Sequence, residues 1–139
     1  MGRKKSITPR KKRRRYKYTH NGKVCSKGEK SIALFLDKYG ITYIQEKTFK
    51  TCLSPKGNSL RFDFFLPHRD ILIEYQGHHH YNPINRYRRA QLSHKRTVIN
   101  DMIKKRFVEN SKYVLIEISY WDYDFIWSIL FVYLLNVYT

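Results

Sequence analysis

Two carboxylates lie where carboxylates are costly. Asp63 sits within Leu60-Arg61-Phe62-Asp63-Phe64-Phe65-Leu66 and Glu74 within Ile71-Leu72-Ile73-Glu74-Tyr75-Gln76, two runs dominated by apolar residues. Asp is disfavoured in strands, and a buried carboxylate without a partner is expensive. A cation has to offset that cost. It can be an Arg or Lys, as in a salt bridge of Asp63 with Arg61 or of Glu74 with a Lys, or it can be a metal ion. Alternation places Asp63 on the face of Arg61 and Phe65, and Glu74 on the face of Leu72 and Gln76. Paired neighbouring strands can therefore bring both acids onto one face. Hard oxygen donors select Mg²⁺ or Mn²⁺, and such an ion activates water and stabilises charge on a phosphoryl oxygen. Spacing alone leaves the salt bridge and the metal site both open.

The elements that must position these acids can be read from pattern. Ser26-Lys27-Gly28-Glu29 is a capping box opening a helix, followed by Ile32, Phe35, Leu36 and Tyr39 at helical spacing and stopped by Gly40. Ile41 to Phe49 predicts a strand. Ser54-Pro55-Lys56-Gly57-Asn58 is a turn cluster. Leu60 to Leu66 and Ile71 to Gln76 predict two further strands, joined by residues 67–70 as a hairpin. Residues 77–92 read as a polar loop. From Ser93 to about Asn110 a helical pattern returns, with Val98, Met102, Ile103 and Phe107 as its apolar positions. Tyr113 to Ile118 is a strand, and a last helix capped by Asp122 or Asp124 runs through Leu135. The expected fold class is α/β, a mixed β-sheet flanked by helices.

Charge bounds the partners. The 139 residues carry 28 Lys and Arg against 11 Asp and Glu, a net charge of +17. Twelve of the basic residues fall in positions 1–27, where no acid occurs. The expected division is a basic, disordered arm over residues 1–25 and one domain over 26–139. Such a chain seeks a polyanion, and nucleic acid is the first candidate. In the arm, Arg10, Lys11, Lys12, Arg13, Arg14 and Arg15 are placed to track phosphates. The same run, 9–15, would serve as a nuclear import signal in a host with a nucleus. Arg86, Arg88, Arg89, Lys95 and Arg96 form a second basic cluster, able to clamp phosphates or read guanine edges, or else a generic basic surface. Cys25 and Cys52 lack zinc-site spacing, and the N-terminus lacks a secretory pattern, so an intracellular location is expected: nuclear in a eukaryotic host, otherwise cytoplasmic. The apolar stretch Phe125–Tyr138 spans 14 residues, too short to cross a membrane. It predicts a helix that completes the core or forms a subunit interface.

Three segments together resemble the PD-(D/E)XK nuclease superfamily, and more narrowly its small branch related to very-short-patch repair and homing endonucleases. They are Ser26-Lys27-Gly28-Glu29; Arg61 to Pro67 running into Ile71 to Tyr81; and Asn100-Asp101-Met102-Ile103-Lys104 before the strand Val114-Leu115-Ile116. The middle segment is specific, and the flanking two agree in order and spacing. The resemblance implies a restriction-endonuclease-like core and a Mg²⁺-dependent DNA endonuclease that hydrolyses phosphodiesters in homing, repair or junction cutting. It implies Asp63 and Glu74 as metal ligands with the Tyr75 carbonyl as the backbone ligand. Glu29 matches the acid from the first helix, although the capping box explains it equally well. The third motif position, commonly Lys, is Gln76 here. Lys104 or Lys105, with Asp101 as companion, is positioned to supply the missing charge, against the plainer reading of a solvated helix face. His80, followed by Tyr81, matches a position near the cut phosphate, and a histidine suits acid–base work there. A homodimer or higher oligomer would be needed to cut both strands. The competing readings are a non-catalytic DNA binder that keeps the fold, and a DNA-packaging protein.

Overall fold

The structure, a computed structural model, describes residues 18–21, 23–77 and 88–136. Its described residues form an α/β fold with a four-stranded mixed sheet, three α-helices and a small separate hairpin. The hairpin pairs β1 (Tyr18–His20) with β2 (Lys23–Cys25) antiparallel, His20 opposite Lys23. This departs from the expectation of an unstructured arm reaching residue 25. The signal is the dipeptide Asn21-Gly22, a strong hairpin turn in sequence, and Asn21 adopts φ 48°. His20 is buried; its Nε2 lies 2.8 Å from the Tyr43 hydroxyl and 2.9 Å from Asp37 Oδ2, which ties the hairpin to the domain. The basic run 10–15 lies outside the described residues.

The first helix, α1 (Lys27–Lys38), begins where the capping box places it. The Ser26 hydroxyl accepts from the Glu29 N–H at 3.2 Å and donates to Glu29 Oε1 at 3.0 Å. Ile32, Phe35 and Leu36 are fully buried on one face, each worth about 1.5–3 kcal/mol. At the first turn Gly28 lies against the Tyr75 ring, so closely that any Cβ there would overlap it.

The sheet runs in the order β3 (Ile44–Leu53), β4 (Ser59–Leu66), β5 (Ile71–Gln76), β6 (Val114–Ser119). The first two neighbour pairs are antiparallel, as the hairpin across 67–70 predicts, and β5 pairs with β6 in parallel. A parallel pair needs a crossover, and α2 (Arg88–Glu109) lies in it. One sheet face packs on α1 and α3 (Ile126–Leu134) through Phe64, Leu66, Ile73, Ile116 and Ile118. The other packs on α2 through Phe62, Phe65 and Leu72.

Two helices differ from their sequence reading. In α2 only Ile103 and Phe107 of the four expected apolar positions pack on the sheet, with Val108 beside them; Val98 and Met102 are exposed. The helix is polar almost all round, so its apolar stripe is confined to the second half, and the first half has a different neighbour. The last helix is not capped by Asp122 or Asp124. A 3-10 segment, Tyr120–Phe125, absorbs both, and Phe125 occupies the cap of α3 without a side-chain bond. Ile126, Leu130 and Leu134 complete the core, while Phe125, Phe131, Val132 and Tyr133 stay exposed. No helix among the described residues is long and apolar enough to cross a membrane.

Candidate active site

The centre of the site is a place where two strands part. The β4–β5 ladder pairs Leu66 with Ile71, Phe65 with Leu72 and Phe64 with Ile73. The next residues in that register are Asp63 and Glu74, and there the backbone pairing gives way. The Tyr75 N–H, which would otherwise look for a carbonyl, donates to Asp63 Oδ2 at 2.8 Å. A side-chain carboxylate thus takes over from a strand. The alternation of β4 breaks at the same point, because Phe62 belongs to the α2 side of the sheet and Phe64 to the α1 side. Simple alternation therefore misplaces Asp63 relative to Phe65, although it brings the two acids together as expected.

Glu74 is almost completely buried, and Lys104 Nζ meets its Oε1 at 2.7 Å. Lys104 is itself only 15% exposed, and its ammonium lies 5.1 Å from the centre of the Phe62 ring. So the salt bridge foreseen for Glu74 exists, and the Lys comes from α2. Lys104 is not on a solvated face. Lys105, its alternative, pairs instead with Glu117 at 3.6 Å near the surface. The other foreseen bridge, Asp63 with Arg61, is not formed: Arg61 lies 3.7 Å from Glu46.

These groups border a cleft of about 590 Å³ between the sheet, the start of α1 and the first half of α2. Asp63, Glu29, Glu46 and Arg61 form one side, and Thr97, Asn100, Asp101 and Lys104 the other. The α2 residues recur at helical spacing, which explains why that half of the helix is polar. Burial, then Glu74, then Glu29 push the Asp63 carboxyl well above the usual carboxylate range, and the Tyr75 N–H and Lys104 only partly oppose them. Burial also raises Glu29, against hydrogen bonds from Ser26. Three acids thus share a region with one ammonium, a field that favours added positive charge.

Gln76 is buried at the end of β5, opposite Ser119, and does not line the cleft. Arg88 and Arg89 begin α2, and Lys95 and Arg96 are exposed on it. His80 and Arg86 lie outside the described residues. Burial raises the Cys25 and Cys52 thiols, which disfavours thiolate chemistry.

Sequence reasoning missed Glu46 and Arg61 as a pair on the cleft. Glu46 adopts φ 54° within β3, a left-handed conformation costly for a non-glycine residue. Nothing in its sequence context announces that.

The donor set suits a hard divalent cation. It consists of carboxylate oxygens with a backbone carbonyl nearby, not thiolates or imidazoles. Among the described residues no group of three or more His, Cys, Asp and Glu has the geometry of a complete cage. A bound ion would complete its shell with water, backbone or phosphate oxygens, as Mg²⁺ commonly does.

No protein-family model, curated protein or solved structure matches the chain.

Proposed function

We propose that the chain is a metal-dependent DNA endonuclease with a restriction-endonuclease-like core, cutting phosphodiesters at Asp63 and Glu74. One observation carries the reading: the sheet gives up backbone pairing at Asp63 and Glu74 and sets their carboxylates side by side at a cleft. A purely structural pair would be better served by continuing the ladder. The net charge of +17 supports a polyanionic substrate, and the resemblance of the middle segment supports the same class.

Asp63 and Glu74, with the Tyr75 carbonyl, would hold Mg²⁺ or Mn²⁺. When bound, the ion supplies a water of lowered pKa and neutralises charge on the phosphoryl oxygens. The Tyr75 N–H fixes the orientation of the Asp63 carboxylate. Lys104 holds Glu74 in place and supplies the positive charge that Gln76 lacks, in a spot shielded enough for that charge to act. Glu29, anchored by Ser26, adds negative potential that strengthens cation binding. Arg61, at the open side, is placed to meet a phosphate.

The second reading, a DNA binder without catalysis, rests on Lys104: its ammonium already neutralises Glu74. A nicking assay on supercoiled plasmid separates the two. Wild type should nick with Mg²⁺ or Mn²⁺ and stop with a chelator, and Asp63→Ala should be inactive. Binding without nicking in either metal would favour the second reading.

A further inference from the structure

The cleft does not end at Asn100. The same side chain borders a second hollow of about 440 Å³, further toward the start of α2. Its opposite wall is the β3–β4 turn. That turn is well held: the Ser54 N–H donates to the Asn58 carbonyl at 2.8 Å, the Gly57 N–H to the Ser54 carbonyl at 2.9 Å, and the Asn58 N–H to Ser54 Oγ at 3.2 Å. Gly57, at φ 85°, supplies the conformation this requires. Lys56 projects from the turn and Arg96 from the helix, both exposed, and no carboxylate is among the residues lining the hollow. Ile99, 45% exposed, and Pro55 add apolar surface. Two cations, amide and hydroxyl donors and an apolar patch suit a sugar–phosphate segment and disfavour a metal ion.

Spacing relates this hollow to the cutting site. Arg96, Asn100 and Lys104 stand four residues apart on α2, so Arg96 lies about 12 Å along the helix from Lys104. One DNA strand advances about 3.4 Å per nucleotide, so that distance covers roughly three to four nucleotides. We propose that the second hollow is a strand subsite, where Lys56 and Arg96 hold a backbone phosphate of the DNA roughly three to four nucleotides from the bond cut beside Asp63. The inference rests on the endonuclease reading and adds to it the direction in which the strand leaves the cleft, along α2 toward the β3–β4 turn.

The first test is binding, which needs no catalysis. Affinity of the full chain for a short mixed-sequence DNA duplex is measured against salt in a chelating buffer. The Lys56→Ala/Arg96→Ala variant should lower the slope of log K against log salt by about 2 relative to wild type. A control variant, Lys38→Ala/Lys112→Ala, removes the same charge elsewhere and should leave the slope in place. An unchanged slope in the first variant, or an equal drop in both, overturns the subsite. If the slopes differ as expected but wild type never cuts, the endonuclease reading fails and the binding surface stands. The second test places the phosphate. A neutral methylphosphonate is walked along a duplex around the mapped nick, and cleavage by wild type should fall about tenfold roughly three to four nucleotides away, with no such dip in the double variant. A flat profile overturns the register.

Discussion

At Asp63 the cost of crowding acids becomes a measurable pH dependence. Burial, Glu74 and Glu29 raise its folded pKa above the ordinary value of 3.8. Between the unfolded and folded values the native state therefore holds more protons than the unfolded chain, and stability falls as pH rises through that window. The contribution is fully present below the ordinary carboxylate range and lost at higher pH. Metal-free wild type should accordingly lose Tm from about pH 4 upward, and Asp63→Asn should flatten the decline, measured by thermal melts across pH. A slope identical in both proteins would contradict the account. Lys104 carries the opposite burden. Removing it with Lys104→Met leaves Glu74 buried and unpaired, which should cost about 3–5 kcal/mol of unfolding free energy in chelator. Mg²⁺ should restore part of that loss in denaturant melts, because a cation then replaces the ammonium. Glu46 tests strain: Glu46→Gly should keep or raise Tm, since glycine accepts the left-handed backbone, while lowering cleavage through loss of the partner that steadies Arg61.

At the level of elements, the site depends on how closely α1 approaches β5. Gly28 meets the Tyr75 ring, and Tyr75 supplies the N–H that orients Asp63. Gly28→Ala should therefore cost about 1–3 kcal/mol by overpacking and should reduce activity beyond what the stability loss explains, read as a lower kcat at a temperature where the variant remains folded. Much of this frame was legible in sequence. The capping box located Ser26 and Glu29, and the four-residue gap at 67–70 predicted the β4–β5 hairpin. Two long-range facts were not legible. Sequence spacing does not report which Lys of α2 folds back onto Glu74, because Lys104 and Lys105 differ by one helical step and only tertiary packing decides which turns inward. Nor does periodicity report the break at Asp63, because a strand that changes face mid-course looks the same as one that does not. The β1–β2 hairpin was legible from Asn21-Gly22 but was masked by the basic composition around it.

For the whole molecule, charge and site divide the labour. Ten of the 28 basic residues fall within positions 1–17, outside the hairpin that His20 anchors to Asp37 and Tyr43. Deleting 1–17 should thus leave the melting curve intact while weakening DNA binding and reducing its salt slope. An unaltered slope would show that the arm takes no part. The body retains its own basic surface along α2, so the truncated protein should still cut, at higher KM. The central claim is that the crowded acids at Asp63 exist to bind a catalytic cation at the expense of metal-free stability. The most direct measurement pairs a plasmid-nicking assay with a melt of Asp63→Asn at neutral pH. The account predicts a variant that melts higher than wild type in chelator, gains no Tm from Mg²⁺ and does not nick; a variant that nicks like wild type would contradict it.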